Sequence, residues 1–91
     1  MNAMKGKTKT GFEWEVNVTA VDNWELVEIL TEADKGKSSA LIQGMKMILG
    51  EEGYAALKEH VRGLSKDGIV HSTSMSSEFL SFLNSISEGK N

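Results

Sequence analysis

The side chains best suited to chemistry in this sequence are the two histidines, His60 and His71. A metal site needs several converging ligands, and Glu59 beside His60 could contribute one. No regular spacing brings His71 to the same place, so we interpret both histidines as surface residues. The chain has no cysteine, which excludes disulfides, thiol nucleophiles and cysteine-ligated zinc and favours a reducing cellular interior.

A second candidate is Gly36-Lys37-Ser38-Ser39, which has the residue types that end a phosphate-binding loop. That motif needs another glycine five residues before its Gly-Lys pair, so that backbone amides can surround a phosphate, and position 31 is threonine. Serines are frequent, but none lies in the strained turn that a nucleophile beside a histidine and an acid requires. We therefore expect no enzymatic activity and no cofactor.

The charge is distributed unevenly along the chain. Three of its ten basic residues, Lys5, Lys7 and Lys9, fall in the first ten positions, which hold no acid, whereas the remainder carries all thirteen acids. An acidic body is unfavourable for binding duplex nucleic acid, since such binding depends on neutralising phosphates. No run approaches 18 apolar residues, so we also expect no membrane span.

The N-terminal part of the chain has the pattern of a β-hairpin. Phe12, Trp14, Val16 and Val18 alternate with polar residues, which predicts a strand with one apolar face. A turn at Thr10-Gly11 would add a first strand over Lys7–Lys9. Residues 1–10 are thus either a basic flexible tail or the first hairpin strand, and residues 11–91 form a single small helical domain.

Four helical segments follow, each with apolar residues at a period near 3.6. We expect Asp22 and Glu25 to form a capping box on the first, and Ser38 or Ser39 to cap the second. The fold class is therefore mainly α (α+β), with four short helices and an N-terminal β-hairpin packed on them. The predicted helices are 23–34, 38–49, 51–63 with Gly50 as the break, and a last one that begins in the serine-rich segment 71–74.

Three apolar side chains, Trp24, Met47 and Leu80, lie at the edge of these apolar stripes or outside them. Single exposed apolar residues are common, so the simplest interpretation is that they have no role. The alternative is that they form one patch that binds a helix of a partner or of a second copy.

Between residues 11 and 88 the chain contains, in sequence order, the segments Gly11-Phe12-Glu13-Trp14-Glu15-Val16, Asp22-Asn23-Trp24-Glu25-Leu26-Val27-Glu28, Asp34 and Gly36, Leu49-Gly50-Glu51-Glu52, Leu57-Lys58-Glu59-His60-Val61-Arg62, Asp67-Gly68 and a final amphipathic helix. Through these segments, residues 11–88 resemble the small tail assembly chaperones of long-tailed phages and prophages of Gram-positive bacteria. That family usually has a proline soon after its Asp-Gly turn, and this chain has none.

The resemblance implies a non-enzymatic protein of the host cytoplasm that binds the long, helical tape measure protein while tail tube subunits polymerise around it. It also implies that the chain can self-associate, that a longer frameshifted form exists for many members, and that the finished particle lacks the chaperone. Two other classes remain open at this point: a structural tail or head-tail protein, and a small DNA-binding regulator, because the second and third helices around Gly50 have the outline of a helix-turn-helix.

Overall fold

The computed structural model describes the backbone of residues 3–89 and the side chains of residues 3–86. Residues 1–2 and 90–91, which the predicted tail and domain include, lie outside the described residues. The described chain is mainly α with an N-terminal antiparallel hairpin, which confirms the predicted fold class. Its elements are β1 (Ala3–Lys7), β2 (Glu13–Asn17), α1 (Val18–Val21), α2 (Trp24–Asp34), α3 (Ser38–Leu64) and α4 (Ser72–Gly89).

The hairpin starts earlier than the sequence pattern predicts. β1 covers Ala3–Lys7 rather than Lys7–Lys9, with Lys5 opposite Glu15. The connection takes in residues 8–12 instead of the pair Thr10-Gly11, because the Thr8 N–H donates to the Phe12 carbonyl at 3.0 Å and the Thr8 hydroxyl accepts from the Phe12 N–H. Residues 3–7 are thus strand rather than tail.

The passage from the hairpin to α2 uses two asparagines as helix caps. Val18 leaves the sheet and begins α1, a single turn, because the Asn17 side chain accepts from the Thr19 N–H at 2.9 Å. Asn23, not Asp22, caps α2 by accepting from the Glu25 N–H at 3.0 Å. The predicted strand end at Val18 and the predicted capping box are therefore wrong.

α3 consists of two helical segments, 38–49 and 51–64, that meet at Gly50. The φ of 78° and ψ of 170° at Gly50 are not helical, which confirms the predicted break. The N-cap is Lys37, whose side chain makes no capping hydrogen bond, so the predicted serine cap is wrong.

The core lies where the inner face of the hairpin meets α3 and α4. Trp14 packs edge-on against Phe82 with ring centroids 5.1 Å apart, and Phe79 stacks on Phe82 with ring centroids 5.8 Å apart. Within residues 3–89, every helix is too short or too polar to cross a bilayer. The buried apolar residues are Phe12, Trp14, Val16, Leu26, Met45, Ile48, Leu57, Val61, Met75, Phe79, Phe82 and Ile86.

Candidate partner-binding groove

One face of α4 forms one wall of an apolar groove. The residues on this face recur at the spacing of a single helical stripe, so the stripe extends for about 16 Å, or three turns. The same helix packs on β1, and Phe82 and Ile86, which lie close to Met75 and Phe79 around the helix, are buried in the core. The stripe consists of Ser72, Met75, Ser76, Phe79, Leu80 and Leu83.

The groove has two connected sections. The first, which we call the Leu80 section, has a volume of about 260 Å³ and lies between α4 and the residues Leu30, Ala33, Asp34 and Leu41. The second, the Tyr54 section, has a volume of about 340 Å³. Leu41 and Ser76 line both sections, so the groove is continuous. Besides its share of α4, the Tyr54 section is lined by Ser38, Leu41, Ile42, Met45, Tyr54, Lys58 and Val70.

The groove stays open because of the way in which α2 packs. α2 lies mainly against α3, and α4 lies mainly against the hairpin and α3, so α2 and α4 form opposite walls without closing on each other. Two aliphatic side chains remain exposed at the rims, Leu80 at 59% and Ile42 at 42%. Large exposed aliphatic side chains beside an apolar groove are typical of a surface that binds another polypeptide.

A hydrogen-bonded loop after α3 positions Val70 in the groove. The Asp67 carboxylate accepts from the Ser65 hydroxyl, from the Ile69 N–H at 2.9 Å and from His71 Nε2 at 2.9 Å. These donors, that of Ser65 first, lower the pKa of Asp67 to about 2 because they stabilise its charged form. The loop therefore has a defined conformation although it is exposed.

The three residues predicted from sequence occupy different places. Leu80 lines the groove, as described above. Met47 is half-buried and lines a separate depression between α2 and α3, where Glu25 and Glu28 form part of the wall. Trp24 is 74% exposed and lines neither surface. The structure thus brings Leu80 together with other apolar residues, but it does not place Met47 in the same groove.

Most residues of the groove were not predicted from the sequence. The sequence pattern does not distinguish Ile42 and Val70 from other apolar residues, although both border the Tyr54 section. One signal was visible: small residues at Ser72 and Ser76 lie on the same stripe as Phe79 and Leu80, where larger side chains would fill the space. The facing walls come from tertiary packing, which a helical period does not specify.

A buried polar cluster was also not predicted from the sequence. The Glu78 carboxyl is 4% exposed and accepts from the Thr8 and Thr10 hydroxyls. Thr10 Oγ1 lies 2.8 Å from His60 Nε2, which in turn lies 4.0 Å from Glu78. In a catalytic triad the acid binds the imidazole nitrogen remote from the nucleophile, whereas here both groups meet Nε2. The cluster therefore fastens the hairpin loop to α3 and α4, with Glu78 as its common acceptor.

The histidines do not converge, because His60 belongs to this cluster and His71 to the Asp67 loop. Among the described residues, no group of three or more histidine, aspartate or glutamate side chains is placed to hold a metal ion. Comparison of the chain with protein families, with curated proteins and with solved structures finds no match.

Proposed function

We propose that this chain is a non-enzymatic phage tail assembly chaperone of the host cytoplasm that covers an apolar helical segment of the tape measure protein. The observation that supports the proposal is the continuous groove along α4, three turns long and bordered by the exposed side chains Leu80 and Ile42. The proposal also rests on the resemblance of residues 11–88 to that family.

The dimensions of the groove suit a client of this kind. An amphipathic helix exposes an apolar seam, and three turns of it, about 11 residues, match the length of the α4 stripe. A long helical client would offer many such segments, each of which aggregates unless it is covered. A shallow groove binds each segment weakly, so tail tube subunits can displace the chaperone as they assemble.

The groove is tested by three substitutions that add the same charge at exposed apolar positions. Leu80→Glu and Ile42→Glu should each weaken capture of the cognate tape measure protein at least fivefold, because each places a carboxylate against the client's apolar seam. Leu64→Glu is the matched control, since Leu64 is 49% exposed and lies outside the groove. Capture is measured by co-expression with the client and by titration of a purified client fragment, with circular dichroism to establish that each variant is folded.

A fourth variant, Trp24→Glu, separates the groove from the single patch predicted from sequence. It should bind like Leu64→Glu if the groove is the site, and should fail like Leu80→Glu if Trp24, Met47 and Leu80 form one surface. Undiminished capture by Leu80→Glu and Ile42→Glu would exclude the groove. Recovery of the protein in purified particles would favour a structural tail component over a chaperone. Analytical ultracentrifugation of the same variants measures whether self-association uses this groove.

A further inference from the structure

The two sections of the groove carry charges of opposite sign. Among the described residues, Lys58 is the only charged one that lines the Tyr54 section, and its Nζ lies 5.3 Å from the centre of the Tyr54 ring. Lys46 approaches the same ring at 5.4 Å. Of the charged side chains within residues 3–86, only Asp34 lines the Leu80 section. Within the described residues, Lys46, Lys58 and Asp34 form no ion pair, so their charges are available to a bound partner.

Helix ends add to the same polarity. Ser38 and Ser72, the first residues of α3 and α4, both line the Tyr54 section, and a helix N-terminus carries a partial positive charge. Asp34 is the last residue of α2, so the partial negative charge of that helix end adds to its carboxylate in the Leu80 section.

From this arrangement we infer that the groove selects the direction of the helix it binds. The C-terminal end of the client helix, with its partial negative charge and any acidic side chains, lies in the Tyr54 section, and the N-terminal end lies in the Leu80 section. The inference rests on the proposed function, because it describes how the same groove holds the client. It follows that the client segments that bind best have basic residues N-terminal to the apolar seam and acidic residues C-terminal to it.

The direction in which a helix binds is measured with a peptide that has no charged side chains, so that the peptide itself does not favour either direction. The probe is a 14-residue helical peptide, stapled on its polar face, with a leucine seam, glutamine elsewhere and capped ends. A nitroxide is attached through a cysteine at either end, and since the chain has no cysteine the label cannot exchange onto it. The isotopically labelled full chain then reports which amide signals each nitroxide broadens.

A label at the peptide N-terminus should broaden the amides of Ala33, Asp34 and Leu83 about three- to tenfold more than those of Lys58, Val70 and Ser72. A label at the C-terminus should give the opposite pattern. This ratio is what one or two charges of the groove provide by acting on the partial charges at the ends of the uncharged helix. The triple variant Asp34→Lys, Lys46→Glu, Lys58→Glu should reverse both patterns. The control Lys66→Glu, an exposed lysine outside the groove, should leave them unchanged.

The possible failures are distinguishable. If binding is saturable and Leu80→Glu abolishes it, but each label broadens the amide signals of both sections equally, the proposed direction is refuted. The groove then remains the binding site. The opposite pattern in the unmodified chain would also refute the direction. No saturable binding, or binding that Leu80→Glu does not weaken, would refute the proposed function itself.

Discussion

A Cβ atom added to Gly44 would lie 3.0 Å from Cδ2 of Leu30. Gly44 is buried in the first segment of α3, and Leu30 is a wall residue of the Leu80 section. α2 therefore packs through its side chains directly on the backbone of α3, and a larger residue at position 44 would force Leu30 to shift by a few tenths of an ångström. This contact sets how far the α2 wall stands from α4 and so sets the width of the groove.

Replacing Gly44 tests this contact. Gly44→Val should lower the free energy of unfolding by about 2 kcal/mol, because the added methyl groups overpack the interface between α2 and α3. Gly63→Val is the matched control: Gly63 is also helical, but nothing lies within 4 Å of a Cβ added there, so its stability should change by less than about 0.5 kcal/mol. Urea denaturation measures both. Equal stabilities for the two variants would contradict the close approach.

The break inside α3 depends on a backbone conformation that other residues avoid. Gly50 has a φ of 78° and a ψ of 170°, a combination that costs a non-glycine residue about 1–3 kcal/mol. Gly50→Ala should therefore lower the free energy of unfolding by about that amount. Gly63→Ala, at a helical position, should instead raise it by about 0.5–1 kcal/mol. If Gly50→Ala instead stabilises the protein in thermal and urea denaturation, α3 can form one continuous helix through position 50.

The buried cluster around Glu78 should show strong coupling. Thr8→Val removes one hydroxyl donor from a buried carboxyl group and should cost about 1–3 kcal/mol of stability. The triple variant Thr8→Val, Thr10→Val, Glu78→Leu removes donors and acceptor together, so its cost should be smaller than the sum of the three single costs. Thr31→Val serves as the control, because Thr31 is exposed and its hydroxyl donates to the Val27 carbonyl within its own helix. Additive costs would show that the cluster contributes no coupling.

Much of the fold follows from the spacing of apolar residues. Phe12, Trp14 and Val16 specify a half-buried strand, and Phe79 and Phe82 recur at helical spacing, so both elements could be predicted. β1 could not be located, because Ala3–Lys7 contains glycine and lysines with little strand preference of their own and becomes a strand by pairing with β2.

The groove was only partly predictable. Leu80 stood out because it lies outside the core-facing residues that the sequence predicts for the last helix, and the structure explains its position by placing it at a rim. Its partners across the groove belong to α2 and α3, whose placement depends on the close contact at Gly44. Glu78 offered a signal that was overlooked: it precedes Phe82 by four residues and so lies on the buried face of α4.

The Asp67 loop gives a prediction that depends on pH. The pKa of Asp67 is lowered from 3.8 to about 2, so its folded form binds the proton less readily than the unfolded chain does. The stabilisation from its hydrogen bonds is therefore fully present above pH 3.8 and is lost as the pH falls through about 2.

A carboxyl ¹³C titration should show a midpoint near 2 for Asp67. In Ser65→Ala that midpoint should rise toward 3.8, because the Ser65 hydroxyl is the largest cause of the shift. Ser77→Ala, an exposed serine away from the loop, should leave the midpoint unchanged, whereas a midpoint near 3.8 in the unmodified chain would show that the loop does not hold Asp67 in this way.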